Sequence, residues 1–170
     1  EQEGLVRVFP QSRTVVTRID VPQIHETHFL RVAVEVEVAT RLVAAGAAAT
    51  LAQARSPIPM QEALGGDVEQ IELFNQLDDA FHRALFAGVG QLNLHRLLAA
   101  RSGHMARARR LDLPKRGKMR DVVRGHLAIV EAIERGDAAA ADRAVRDHLA
   151  GTIARIAALR EENPGYFSTS

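Results

Sequence analysis

The sequence predicts an all-α fold, an antiparallel helical bundle of about six to seven helices preceded by a short β-hairpin. Three observations predict it. After residue 20, apolar residues recur every three or four positions along most of the chain. Gly- and Pro-bearing turns cut that pattern into segments of helical length joined by short connections. Only the first 20 residues alternate with the period of a strand.

The elements follow in order. Leu5-Val6-Arg7-Val8-Phe9-Pro10 and Thr14-Val15-Val16-Thr17-Arg18-Ile19 are β-branched, alternating runs around Gln11-Ser12-Arg13, the pattern of a hairpin. A lone two-stranded ribbon is marginal in water, so it reads as the edge of something larger. Asp20 is placed to cap the first helix, with Pro22 in its first turn and Gly46 to stop it near Ala45. Helix resumes over residues 47–55 until Ser56-Pro57-Ile58-Pro59, where neither proline has an N–H to donate. Residues 60–64 form a short helical piece before Gly65-Gly66. Asp67 caps the next helix, on which Ile71, Phe74, Leu77, Phe81 and Leu85 share a face and which ends around residues 88–90. One helix is expected from residue 91 to about 111, broken by Pro114. The last two run over residues 119–135, stopped by Gly136, and from 137 to about 160, stopped by Asn163-Pro164-Gly165.

Composition narrows the function. A chain of 170 residues, 46% hydrophobic and 25% charged, is one domain with a possible small appendage. Without cysteine it has no disulfide, redox motif or thiolate metal site. No apolar run reaches 18 residues without a charge and the chain opens on a polar segment, so neither a membrane span nor a secretory signal is expected and the setting is cytoplasmic. A net charge of +1 argues against nucleic-acid binding by the chain as a whole. Twenty-eight Ala and 20 Arg favour helix, or reflect coding bias.

Four polar residues fall on apolar faces. Asp78 and His82 lie one turn apart on the face that carries Phe74, Phe81 and Leu85. His126 is flanked at helical spacing by Val122, Val123, Ile129, Val130 and Ile133, and His148 by Ala144, Val145, Leu149 and Thr152. Burying such groups is costly unless they are hydrogen-bonded or hold a metal. Each alone reads as a hydrogen-bonded core side chain more readily than as a ligand. Together, one oxygen and three imidazoles suit Zn, Ni, Mn or Fe, with positions left for water or an anionic small molecule. An ion with open positions also acidifies water, so a metal-dependent hydrolase on a helical bundle is the alternative, although no further carboxylate or His is evident as a general base.

The segments carrying these residues are Leu77-Asp78-Asp79-Ala80-Phe81-His82-Arg83-Ala84-Leu85, then Gly125-His126-Leu127-Ala128-Ile129-Val130-Glu131-Ala132-Ile133-Glu134-Arg135-Gly136-Asp137, then Arg146-Asp147-His148-Leu149. They resemble the D-x-x-F-H-x-x-L, H-x-x-I-x-x-A-I-x-x-G-D and H-L signatures of the FCD effector domain in GntR-family bacterial transcription regulators. Arg31-x3-Glu35 upstream and Asn163-Pro164-Gly165-Tyr166-Phe167 downstream extend the likeness over almost the whole chain.

The resemblance implies that Asp78, His82, His126 and His148 ligate a divalent metal ion, Zn or Ni ahead of Mn or Fe. It also implies a small organic acid effector that completes the coordination. Arg31 is the residue expected to grip the effector carboxylate through paired hydrogen bonds. Its alternative is an (i, i+4) pair with Glu35 on a solvated face, and Glu35 is expected to orient Arg31 or its helix. Gln91 stands where the family often has Asn, with Asn93 nearby, and either amide is a candidate effector contact. Gly125 replaces a commonly acidic residue before His126.

The resemblance further divides the chain into residues 1–20, the remnant of a winged-helix wing and linker; 21–162, the effector-binding helical domain; and 163–170, a C-terminal tail. The family's major-groove helices would precede the hairpin, so the native protein is expected to be longer and to reach DNA through that N-terminal domain. Arg13, at a wing-tip place where Gly is usual, is the candidate DNA contact in this chain. Effector binding in a homodimer would bias the spacing of two DNA-binding heads. His25, His28, His95 and His104 match no signature and read as surface or interhelical residues. The basic stretch over residues 101–120, with Arg107, Arg109, Arg110, Lys115, Arg116, Lys118 and Arg120, reads as a solvated helix end and loop.

Overall fold

Asp20 marks the change from strand to helix. Its carboxylate accepts from Gln23 N at 3.1 Å, and α1 (Val21–Ala45) follows with Pro22 in its first turn and ends at Gly46, φ +58°. The computed structural model describes residues 3–169. Upstream of Asp20, β1 (Val6–Phe9) and β2 (Arg13–Val16) pair antiparallel with Val6 opposite Val16 and Phe9 opposite Arg13. The hairpin stands apart from the bundle core, and Val8, Phe9, Val15 and Val16 on it are exposed.

The remaining elements are α2 (Ala48–Arg55), α3 (Ile58–Leu64), α4 (Ile71–Gly88), α5 (Leu92–Arg101), α6 (Gly103–Asp112), α7 (Lys118–Glu134), α8 (Ala138–Ile153) and α9 (Ile156–Glu162). Asp67 caps a 3₁₀ turn, Val68–Gln70, that leads into α4, its carboxylate accepting from Glu69 N. Asp137 caps α8 by accepting from Ala140 N at 2.8 Å, after Gly136 has turned the chain at φ +70°. The all-α class and the leading hairpin are as the sequence predicts.

Two segments expected to be single helices are each divided. The helix expected over 91–111 breaks at Ser102, whose hydroxyl donates back to Leu98 O at 2.7 Å. Gly103, a weak helix former, then packs against Leu5 with no room for a Cβ. The helix expected over 137–160 breaks at residues 154–155, where Arg155 turns to the wholly buried Asp112, Nε to Oδ1 2.6 Å. A carboxylate without solvent needs such a partner.

α1 packs along α8 and α8 along α7, while α2 and α3 pack on α4. The main core lies between them and includes Leu42, Phe74, Phe81, Phe86, Ile129, Val130 and Val145. Each such side chain contributes roughly 1.5–3 kcal/mol by leaving water. A second, smaller cluster joins Ile19, Ile24, Met105, Ala108, Ile156, Leu159 and Phe167. Ile19 and Phe167 form a parallel bridge, with Ile19 N donating to Tyr166 O at 2.7 Å and Ser168 N to Ile19 O at 2.9 Å. Residue 167 of the expected tail is therefore part of a core. Among the described residues no helix is long and apolar enough to cross a membrane.

Candidate metal centre

Asp78 and His82 come from the inward face of α4, His126 from α7 and His148 from α8. The apolar neighbours that share their helix faces turn all four inward, and one ligand atom from each lies within 4.8 Å of every other. His82 Nε2 is 3.3 Å from His148 Nε2, and His126 Nε2 is 3.4 Å from Asp78 Oδ1. Donors on one ion with bonds of about 2.0–2.1 Å stand roughly 3–4 Å apart, so these pairs have the spacing of a shared ion. Asp78 Oδ1 and His126 Nε2 are buried and have no hydrogen-bond partner, which is costly unless something else satisfies them. The residues therefore fit a divalent cation.

A surrounding set of side chains orients the candidate ligands. His126 Nδ1 lies 2.9 Å from Gln61 Oε1. With the amide oxygen accepting from Nδ1, Nε2 is left to face Asp78 as a metal-ligating atom would. His82 Nδ1 lies 2.8 Å from Glu35 Oε2, which likewise leaves Nε2 toward the cluster. Phe81 stacks on His126 at 3.9 Å between centroids. Gly125 answers a different need from that of the acidic residue it replaces. A Cβ there would fall 2.5 Å from His148 Nδ1, so glycine makes room for that ring, and the partner of His126 comes from α3 instead.

The electrostatics hold the ligand forms. Burial alone would raise Asp78, but the Arg109 charge and hydrogen bond, Nη1 to Oδ2 2.7 Å, hold its carboxyl well below the usual range. Burial likewise opposes Glu35 ionisation, and Arg31 and His82 overcome it to lower its pKa. Burial pushes His126 down, and burial together with the neighbouring imidazoles pushes His148 well down, so both are neutral, the form that binds metal.

A cavity of about 270 Å³ opens beside the cluster, lined by Arg31, Glu35, Asp78, His82, His95 and Arg109 among others. Arg31 does pair with Glu35, Nε to Oε1 2.7 Å, but both are largely buried, in contrast to the solvated-face alternative. Arg31 Nη2 also stands 3.5 Å from His82 Nε2, which puts the guanidinium at the edge of the cluster. Gln91 and Asn93 do not line this cavity. Gln91 is spent at the exposed start of α5, and Asn93 Oδ1, also exposed, accepts from Arg96. His95 from the same helix reaches the cavity, 3.2 Å from Asp79. Arg13 lies on the exposed hairpin, its guanidinium 5.5 Å over the Phe9 ring.

The basic stretch is corrected in three places. Arg109 turns inward to Asp78, Lys118 to the buried Asp112 at 3.1 Å, and Arg107 to the hairpin root, whereas Arg110, Lys115, Arg116 and Arg120 are exposed. His104 is buried, its Nδ1 accepting from Asp20 N. Gln61, Arg109 and His95 escaped sequence reasoning. Arg109 follows Met105 and Ala108 at helical spacing, a signal that the surrounding charges mask.

Comparison with known proteins adds two findings. Residues 26–151 match the FCD domain. An HTH-type transcriptional regulator in an unstable DNA locus of Streptomyces ambofaciens is 35% identical over 168 residues, which cover 99% of this chain and 70% of that protein. The HTH-type transcriptional repressor RspR of Escherichia coli K12 is 25% identical over 167 residues, 98% of this chain and 73% of that protein.

Proposed function

The chain belongs to the FCD-domain family, the effector-binding part of GntR-type transcription regulators, and on that premise we propose that it is a metal-dependent sensor of a small carboxylate. The metal would be held by Asp78, His82, His126 and His148, with Zn or Ni ahead of Mn or Fe for an oxygen-plus-imidazole set. The observation that carries this reading is the pair of acceptors behind the imidazoles, Glu35 on His82 and Gln61 on His126, which leave both Nε2 atoms to a cluster whose four ligand atoms lie within 4.8 Å of one another. A core histidine with no such task has no need to leave Nε2 bare beside a bare carboxylate oxygen.

Held by these four residues, a divalent ion would supply a positive anchor for a carboxylate. Arg31 and Arg109 flank the cavity and present guanidinium groups to an anion within it, and His95 faces it from α5. The relatives' names are those of transcription regulators, which supports a binding role over the hydrolase alternative. Residues 1–20 would be the wing and linker of a DNA-binding domain, with Arg13 near phosphate, residues 21–162 the sensor and 163–170 its tail. Two copies would form a homodimer in the cytoplasm whose DNA-binding heads are respaced by the effector. Such an effector acts only through its different affinity for the two arrangements.

Metal analysis of protein purified without added metal, followed by zinc titration of the chelator-stripped protein, tests this. One equivalent per chain is expected, lost in His82→Ala and His148→Ala. Full retention in both variants would sink the ligand set. Small carboxylates should raise the melting temperature of the metal-loaded protein and leave the stripped protein unmoved.

A further inference from the structure

α6 is attached to the hairpin root on one face and to the buried charges of the bundle on the other. On the first face Gly103 packs against Leu5, and His104 Nδ1 accepts from Asp20 N at 3.1 Å. Arg107 reaches the same root, donating from Nη1 to Thr17 O and from Nη2 to Leu5 O, each at 2.9 Å. On the second face Arg109 Nη1 donates to Asp78 Oδ2 at 2.7 Å, and Asp112 meets Arg155. Residues 107 and 109 are two apart, about 200° around a helix, which is why one helix serves both sides. Ten residues span about 15 Å, with Met105 and Ala108 buried, so the helix moves as a unit.

We infer that α6 couples occupancy of the Asp78–His82–His126–His148 cluster to the hairpin, with Arg109 as the positioning residue that links them. This rests on the metal-binding reading. Arg109 and the cluster share one carboxylate: Oδ2 takes the guanidinium while Oδ1 faces His126. A divalent cation at Oδ1 competes for the same negative charge, so the best position of Arg109 differs between the loaded and metal-free protein. That is the differential interaction which any coupling requires. Arg109 and the root contacts at residues 103, 104 and 107 share one short helix, so a change in the pull on the guanidinium is carried by α6 to the hairpin root.

Amide hydrogen exchange on the chelator-stripped chain, with and without one equivalent of zinc, tests the coupling. The amides of Thr17 and Asp20, bonded to Leu5 O and His104 Nδ1, report the root, and that of Val130, wholly buried inside α7, reports overall stability. Zinc is expected to slow Thr17 and Asp20 about five-fold or more relative to Val130, the lower range of allosteric couplings. Arg107→Gln should bind zinc with unchanged affinity yet lose the excess protection, and Arg109→Lys should lose it as well. Should Arg109→Lys fail to fold, the Arg107 variant decides alone. Stoichiometric zinc binding with no excess protection at Thr17 and Asp20, or full excess protection in Arg107→Gln, overturns the coupling and leaves the metal site standing. Failure of the wild-type chain to bind zinc removes both.

Discussion

Glu35 Oε2 stands 2.8 Å from His82 Nδ1 while its other oxygen accepts from Arg31 Nε at 2.7 Å. One buried carboxylate thus orients a candidate ligand and the arginine beside the cavity. Glu35→Gln keeps the shape but loses the charge and one of the two acceptor oxygens, so His82 and Arg31 can no longer both be held. A fall of about 10–100-fold in zinc affinity is expected from such an outer partner. Competition against a chromophoric chelator measures it; an unchanged affinity in a folded variant would remove Glu35 from the site.

Gly125 tests the packing behind His148. Alanine is ordinarily the better helix residue by about 1 kcal/mol. Here its Cβ would meet His148 Nδ1 at 2.5 Å, and overpacking of this kind costs about 1–3 kcal/mol. Gly125→Ala is therefore expected to weaken zinc binding at least ten-fold and to gain no stability. If denaturant unfolding shows a more stable protein with full zinc affinity, the ring does not need that space.

Arg109→Met leaves Asp78 buried without its cation. Breaking a buried pair from one side costs roughly 3–5 kcal/mol, and the metal-free variant is expected to lose that much in urea unfolding. Zinc then provides the missing positive charge, so the variant should recover a larger share of stability on zinc addition than wild type gains. Equal gains would show that Asp78 does not share its charge between the two.

The pH dependence should carry the mark of His104. Burial, and then the Arg107 charge, hold its imidazole below 6.5. The unfolded chain therefore binds a proton that the folded chain refuses, and stability falls with pH. The loss begins as pH drops through about 6.5 and is complete below the lowered folded-state value. In chelator, the urea midpoint of wild type should fall more steeply from pH 7 to 5.5 than that of His104→Gln. Parallel curves would show that His104 does not titrate across folding. Asp78 and Glu35, held below their usual values, act lower, their contribution being lost only as pH falls beneath the ordinary carboxylate range.

The all-α class, the hairpin and the inward direction of Asp78, His82 and His126 are legible in the sequence because helical periodicity fixes which side chains share a buried face. What periodicity cannot give is a partner on another element. Gln61 sits on a seven-residue helix, too short to show a period, and its bond to His126 spans 65 residues of sequence. The break at Ala154 has the same origin. Arg155 on Asp112 is a long-range contact that overrides good local helix formers, and Leu5 against Gly103 adds one where Ser102-Gly103 are already weak helix formers. Gln91 and Asn93 lie close in sequence to α4, but the turn after that helix decides their direction and faces them outward.

The bridge between Ile19 and Phe167 makes a closed ring of the helical domain. Its clasp is a few hydrogen bonds and one buried phenyl ring, with no covalent link. Opening that clasp uncovers Ile19 and Phe167 in one event, because each is part of the other's cover. A perturbation at residues 164–168 therefore reaches the segment that joins the hairpin to α1.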